Sequence, residues 1–531
     1  MTENTDTVQQ QQANLQKALW AAANDLRSNM DASEFRNYLL GMIFYRYLSQ
    51  KTAKYVDTLL EDYPELTTYQ ELVAEAGEED VRVELLDTLG YVVLPEDLFS
   101  NMIKEISANN FSVEHLEIAV NRVQSSTIGT DSEQDFDHLF DDMDLSSTRL
   151  GSSVTARSGL IAKVMLSINS IETDYDNTQI DVLGDAYEYL IGQFAASAGK
   201  KAGEFYTPQK VSSILAKLVT MDKKKLRNVY DPTAGSGSLL LRVGDEAEVS
   251  YYAGQELNGT TYNLARMNLL LHDVSFDDFN IEQGDTLEND KYSDQKFDAV
   301  VANPPYSANW NADASKNDDP RFGSFGKLAP KSKADFAFVE TMLYHLTEEG
   351  TMAVVLPHGV LFRGAGEGLI RKQMIESMNV LDGVIGLPAN LFYGTSIPTT
   401  ILVFKKNRTN DDIFFIDASN DFEKAKNQNN LTTEYVDKII ATYQKREDVE
   451  KYAHKAELAE IVENDFNLNI PRYVDTFEEE EPIDLVQVSK ELVDLNAEIK
   501  KSEAEFLSML DELAVTDETK DLIEATKEVF K

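Results

Sequence analysis

Between Val229 and Phe404 the chain breaks again and again into short apolar runs that stop at glycine, proline or an acidic residue, each followed by a helical pattern. Strands covered on both faces read as near-continuous apolar runs, and parallel neighbours need a crossover, usually a helix, to join them. This texture predicts an α/β core built on a parallel sheet. The expected strands are Asn228 to Tyr230, Ser250 to Gly254, Asn280 to Gln283, Asp298 to Ala302, Met352 to Leu356, Val380 to Leu387 and Thr399 to Phe404. In open sheets of this kind ligands sit beyond the carboxyl ends of the strands, near the switch point. The residues at those ends therefore carry most of the functional information.

The 531 residues exceed what one hydrophobic core organises, so several domains are expected. Residues 1–170 read as a helical N-terminal domain, with Asp31-Ala32-Ser33-Glu34 as a capping-box pattern ahead of the apolar stretch Tyr38 to Leu48. Gln124 to Ser153 is rich in Ser, Thr, Asp and Gly and reads as a loop or joint. A helical signal over Ile180 to Phe194 and a flexible connector over Ala195 to Gly203 lead into the sheet, giving a second domain over 171–475. The remainder, 476–531, holds an acidic linker (Glu478 to Glu481) and a helical tail with Val488, Leu492, Leu495, Ile499, Phe506, Met509 and Leu513 spaced by threes and fours and interrupted at Ser502. That stripe suits a helix folded back on its own domain as well as one docked on a partner chain.

Three strand ends carry residues that suit a nucleotide-like ligand. Asp231-Pro232-Thr233-Ala234-Gly235-Ser236-Gly237-Ser238 lies between a strand and a helix, where glycines permit a tight turn and the helix start offers free N–H groups. Such turns also serve dehydrogenases and plain connectors. Glu256 ends the next strand, roughly 20 residues on, where a dinucleotide fold places an acid at the ribose hydroxyls. Asp285 follows the third strand and suits an acceptor for an adenine amino group, although either acid alone could be a solvated loop residue or a helix cap.

The fourth strand ends in Asn303-Pro304-Pro305-Tyr306. Proline fixes its own φ and drives the preceding residue into an extended conformation, so Asn303 and Pro304 are held stiffly. The Asn303 amide oxygen and the Pro304 carbonyl can each accept a hydrogen from an exocyclic NH₂, while Tyr306 offers a ring for a swung-out base to stack on. An aromatic amine is a poor nucleophile because its lone pair is delocalised. Two aimed acceptors localise that pair toward a methyl donor, so positioning and electrostatics carry the reaction without a strong base. Upstream, Gly203-Glu204-Phe205-Tyr206-Thr207-Pro208-Gln209 joins an aromatic pair to a helix start, with Thr207 expected as N-cap and Pro208 at the first helical position. Between Ser307 and Ser332 the polar, irregular sequence carries Trp310, Lys316, Arg321, Lys327 and Lys331 and reads as a lid whose basic residues touch phosphates.

Composition then excludes several classes. There are no cysteines and the six histidines form no HExxH pair, so disulfides, thiolate chemistry and a bound metal are not expected. No apolar run approaches the ~20 residues of a membrane span and the polar start lacks a signal-peptide pattern, so a cytoplasmic protein without membrane contact is expected. The net charge of −43 repels a phosphate backbone over most of the surface. Either the substrate is not DNA, or another chain supplies the positive surface.

Taken in order, these blocks resemble the modification (methyltransferase) subunit of type I restriction-modification systems over nearly the whole chain, and the tetrapeptide Asn303 to Tyr306 matches that family's catalytic motif without departure. The resemblance implies a Rossmann-like S-adenosylmethionine-dependent core with a helical N-terminal domain and a helical C-terminal tail, acting as a site-specific DNA adenine-N6 methyltransferase on double-stranded DNA. It implies cofactor contacts from Glu204, Phe205, Tyr206, Thr207, Pro208 and Gln209, from Asp231, Ser236, Gly237 and Ser238, and from Glu256 at the ribose and Asp285 near the adenine. It also answers the charge problem, since such subunits read DNA through a separate specificity subunit, two modification subunits to each, with a restriction subunit joining for cleavage. Methylation of a protein glutamine amide, a non-catalytic assembly role and a nicotinamide dehydrogenase stand as alternatives, the last disfavoured by departure from GxGxxG spacing.

Overall fold

The computed structural model describes residues 32–171, 184, 187–192, 207–392, 395–425, 428–476, 484–516 and 519–530. The expected capping box at Asp31, the connector from Ala195 to Gly203, the motif residues Glu204, Phe205 and Tyr206, and the acidic run Glu478 to Glu481 lie outside them. The chain divides into two compact units, residues 1–475 and 476–531.

The first unit begins with helices α1 (Ala32–Leu60), α2 (Tyr69–Ala76), α3 (Glu78–Leu89), α4 (Phe99–Ser107), α5 (Val113–Ser126) and α6 (Val154–Asn169). Leu39, Leu40, Ile43, Phe44 and Leu48 recur at helical spacing on α1 and are fully buried, which is what makes this long helix the spine of the bundle. Thr68 and Glu71 form a reciprocal capping box at the start of α2. The joint expected over Gln124 to Ser153 is more than a loop: Phe136, Leu139 and Phe140 are buried, and Phe140 packs on Phe44 with ring centroids 5.6 Å apart. Its backbone is tied to the next layer by the buried guanidinium of Arg266, which donates to the carbonyls of Gln134 (2.7 Å) and Asp137 (3.0 Å).

The sheet is formed by β1 (Val229–Asp231), β2 (Tyr252–Glu256), β3 (Phe279–Gln283), β4 (Phe297–Ala302), β5 (Leu346–Pro357), β6 (Leu381–Gly386), β7 (Thr399–Lys405), β8 (Ile413–Asp417) and β9 (Ala453–Ala456). Its spatial order is β9-β8-β6-β7-β5-β4-β1-β2-β3. Helices α7 (Gln209–Thr220), α8 (Ser238–Glu246), α9 (Gly259–Leu271), α10 (Asp335–His345), α11 (Ala365–Lys372) and α12 (Thr433–Lys445) cover it. Strands β1 to β6 lie near their expected positions, but the sheet is mixed: β7 runs antiparallel to both β5 and β6. Twelve residues join β6 to β7, and the chain returns antiparallel. Strands β8 and β9 extend the sheet beyond the expected set.

Strand β1 pairs in parallel with β2 on one side and β4 on the other. The chain winds outward through β2 and β3, then restarts on the opposite side at β4, so the switch point falls between β1 and β4. Asn303 immediately follows β4.

The second unit consists of α13 (Leu485–Glu512) and α14 (Lys520–Val529). Phe506 and Phe530 meet with ring centroids 5.2 Å apart, and Ile523 is buried. The apolar stripe remains open: Leu492 is 54 % and Leu495 55 % exposed. Among the described residues no helix is long and apolar enough to cross a membrane, and no cluster of three or more acidic or histidine side chains could hold a metal ion.

Candidate active site

The carboxyl ends of β1, β2, β3 and β4 open into one cavity of about 570 Å³. Thr233 and Gly235 line it beyond β1, Glu256 at the end of β2, Asp285 beyond β3 and Asn303 beyond β4. Its volume lies within the range typical of small-molecule sites. The acceptors expected at successive strand ends are thus brought to a single space.

The glycine turn is shaped from within. Asp231 is buried, and its carboxylate accepts from the Thr233 N–H (2.9 Å) and hydroxyl (3.3 Å), folding the chain back directly after β1. Burial pushes the Asp231 carboxyl up to about 7. Gly235 and Gly237 adopt φ of 56° and 76°, left-handed values that side chains resist. Gly254 on β2 permits the turn to sit this close, because a Cβ there would come within 2.9 Å of the Ala234 Cβ and 2.8 Å of Ile281.

Glu256 locks the turn to β2. Its carboxylate accepts from the Gly235 N–H at 2.9 Å and, through the other oxygen, from the Asn258 N–H at 2.8 Å. Burial raises its pKa despite those donors. The carboxylate keeps acceptor capacity for a ligand hydroxyl. The Asp285 carboxylate accepts from the Leu287 N–H at 3.0 Å, which fixes its orientation at the cavity wall.

At the tip of β4, Asn303 is 7 % exposed. Its Nδ2 donates to Thr207 Oγ1 at 3.0 Å, and its Oδ1 accepts from the Tyr306 hydroxyl at 2.8 Å. Both ends of the amide are therefore held, and enclosure lifts the Tyr306 phenol well above its usual pKa, keeping it a neutral donor. Pro305 also lines the cavity, and Pro304 is buried beside it.

Several expected residues sit elsewhere. The side chains of Ser236 and Ser238 are buried and face each other at 3.0 Å, while Asn268 on α9 donates to the Ser236 carbonyl and to Ser238 Oγ. They do not line the cavity, nor do Gly237 and Asp231. Thr207 is not the helix cap: α7 starts at Gln209 with Pro208 before it, and the Thr207 hydroxyl is spent on Asn303 instead. Pro208 and Gln209 line a separate cavity of about 380 Å³ with Glu188 and Leu431. Arg321, expected to reach for phosphate, is buried and bonded inward, and Lys316 follows it. One aromatic went unnoticed in the sequence: Phe392, after β6, meets Tyr306 edge-on at 6.0 Å and 74°. The adjacent aromatics Phe392-Tyr393 were the available signal, a Phe-Tyr pair like Phe205-Tyr206.

Residues 178–482 match the family model described as N-6 DNA methylase, and residues 15–168 match that of an HsdM N-terminal domain. The chain is 38 % identical over 502 residues to the type I restriction enzyme MpnII methylase subunit of Mycoplasma pneumoniae, an alignment spanning 90 % of this chain and 92 % of the relative. It is 33 % identical over 340 residues to the HindI methylase subunit of Haemophilus influenzae, covering 60 % of this chain and 74 % of that one. Among solved structures, the methyltransferase subunit of a type I restriction-modification system from Streptococcus thermophilus superposes with a TM-score of 0.81 at 46 % identity, over 88 % of this chain and all of that one.

Proposed function

The chain belongs to the N-6 DNA methylase family, with the methylase subunits of type I restriction enzymes, and on that premise we propose that the cavity at the tips of β1 to β4 is where S-adenosylmethionine and a flipped adenine meet. The protein is an adenine-N6 DNA methyltransferase of a type I restriction-modification system, and its core is that of the S-adenosylmethionine-dependent methyltransferases. The residues fit that cofactor: a carboxylate at Glu256, fixed by backbone N–H groups, for ribose hydroxyls, an oriented acceptor at Asp285 for the adenine amine, and a glycine turn that admits close approach. When bound, it supplies an electrophilic methyl carbon on a sulfonium.

The observation that carries the reading is Asn303, an amide held at both ends on the lip of that cavity. We assign its Oδ1 and the Pro304 carbonyl as the two acceptors for the adenine N6 hydrogens. The Asn303 Oδ1 has two lone pairs, so an amino N–H can be accepted there beside the Tyr306 hydroxyl. Tyr306 and Phe392 then wall the base. With N6 held by those two acceptors, its lone pair would face the sulfonium methyl, and the proton lost on transfer would leave to solvent. Pro305 stiffens the tip. Thr207 orients the amide, Glu204, Phe205 and Tyr206 are assigned to cofactor binding, and Pro208 and Gln209, which line the separate cavity, serve only by starting α7. Asp231, Ser236, Gly237 and Ser238 serve it indirectly, by shaping the turn.

With a net charge of −43 the chain holds DNA through other subunits of the complex. We assign two such chains to one specificity subunit that reads the sequence, with a restriction subunit added for cleavage, all in the cytoplasm. Residues 1–170, 171–475 and 476–531 are proposed as helical, catalytic and docking domains, with the open stripe of α13 facing the specificity subunit. Transfer of labelled methyl groups to DNA by the full chain, alone and with its specificity subunit, tests this. Label is expected in N6-methyladenine only with the second subunit present; label in protein glutamine instead would overturn it.

A further inference from the structure

The segment following the catalytic tetrapeptide carries two basic side chains that point back into the protein. Arg321 is 5 % exposed; its guanidinium donates to the carbonyls of Thr286 (2.7 Å) and Leu287 (3.2 Å). The same group is held by Asp319 through a charged pair at 2.7 Å and lies 3.8 Å from Asp290. Lys316 adds a second donor to the Leu287 carbonyl at 2.6 Å and pairs with Glu288 at 3.4 Å. Asp290 is in turn bonded to the buried His345 at 2.9 Å, which fixes the far end of the loop.

Apart from Asp319, the groups these cations grip lie directly after Asp285. Leu287, whose carbonyl receives both, is also the residue whose N–H holds the Asp285 carboxylate. Thr286, whose carbonyl receives Arg321, sends its hydroxyl to the Pro232 carbonyl in the turn after β1 at 2.6 Å. The Asp319 carboxylate offsets the charge of the buried guanidinium, whose remaining donors tie the loop after Asp285 to the segment after the catalytic tip.

We propose that Arg321, assisted by Lys316, is a positioning residue that presents the Asp285 carboxylate to the amino group of the cofactor's adenine, and so sets affinity and base selectivity at the cofactor site from the segment that follows the catalytic tip. This rests on the reading of the cavity as the cofactor site. Arg321 touches no substrate; it acts through the Leu287 peptide.

The test compares binding of S-adenosylhomocysteine with that of its inosine counterpart, in which the amino group is replaced by oxygen, by calorimetry on the full chain. Arg321→Lys keeps the charge at Asp319 but cannot span two carbonyls. It is expected to weaken S-adenosylhomocysteine by ~10-fold and to erase most of the preference over the inosine analogue, as Asp285→Ala does, and the double variant should lose no more than the single ones because the two act in series. Lys316→Met, which leaves Arg321 in place, is expected to lose ~3-fold and serves where Arg321→Lys does not fold. If Asp285→Ala keeps full affinity and preference, the assignment of the cavity itself fails. If Asp285→Ala loses both while Arg321→Lys and Lys316→Met keep them, or lose only thermal stability, the clamp is overturned and the cavity assignment stands.

Discussion

Replacing Glu256 with glutamine separates two effects that this carboxylate combines. In the resting site it accepts two backbone N–H groups, from Gly235 and Asn258, yet its pKa is raised, so desolvation outweighs those bonds. A group whose folded pKa lies above its unfolded value contributes stability below the unfolded value and loses it as pH rises through the folded one. Glu256→Gln removes that penalty, so the free protein at pH 7.5 is expected to unfold no earlier than wild type. Cofactor binding moves the other way. The ribose hydroxyls lose a charged acceptor, and hydrogen bonds to charged groups contribute about 1.5–3 kcal/mol, so affinity is expected to fall roughly 10- to 150-fold. Wild-type affinity should also weaken as pH drops through the raised pKa, while that of Glu256→Gln stays level. Calorimetry with S-adenosylhomocysteine at pH 5.5 and 7.5, alongside thermal unfolding, reads all three. A variant that binds within twofold of wild type at pH 7.5 refutes the ribose assignment.

Tyr306→Phe keeps the ring and loses only the resting bond to Asn303, so methyl transfer should persist, whereas Tyr306→Ala removes a stacking surface worth about 1–3 kcal/mol per base and should cut turnover roughly 5- to 150-fold in single-turnover assays. Arg266→Met strips the buried donor from the Gln134 and Asp137 carbonyls and is expected to destabilise by about 2–5 kcal/mol in urea unfolding, with early proteolytic cutting near residue 137. Burial lifts Asp135 to about 7, so its contribution to stability is lost as pH rises toward and past that value; Asp135→Asn should be more stable than wild type at pH 8 and equal to it near pH 4, by thermal unfolding.

What was legible in the sequence was local. Each strand tip announces itself through a few neighbouring residues: an apolar run that stops at Glu256, or at Asn303 with two prolines behind it. Four such tips then converge because a parallel sheet aligns its carboxyl ends. What escaped depends on contacts between distant segments. Whether Ser236 and Ser238 face a ligand is decided by Asn268, an amide on another helix that draws them inward. The Thr207 hydroxyl looked like a cap until a partner 96 residues away claimed it. Arg321 has the composition of a phosphate contact and the surroundings of a clamp, and only the carbonyls of Thr286 and Leu287 distinguish the two. The direction of β7 is set by its pairing between β5 and β6, a contact between distant segments that an apolar pattern does not encode.

The most direct test is Asn303→Ala in the complex with the specificity subunit and its DNA, followed by single-turnover methylation and by separate measurement of cofactor and DNA binding. The two-acceptor account expects both affinities to stay within a fewfold of wild type while methyl transfer drops by roughly 10²–10³, the scale for removing one oriented polar group from a reacting centre. Transfer at a near-normal rate by a protein lacking the Asn303 amide would contradict it.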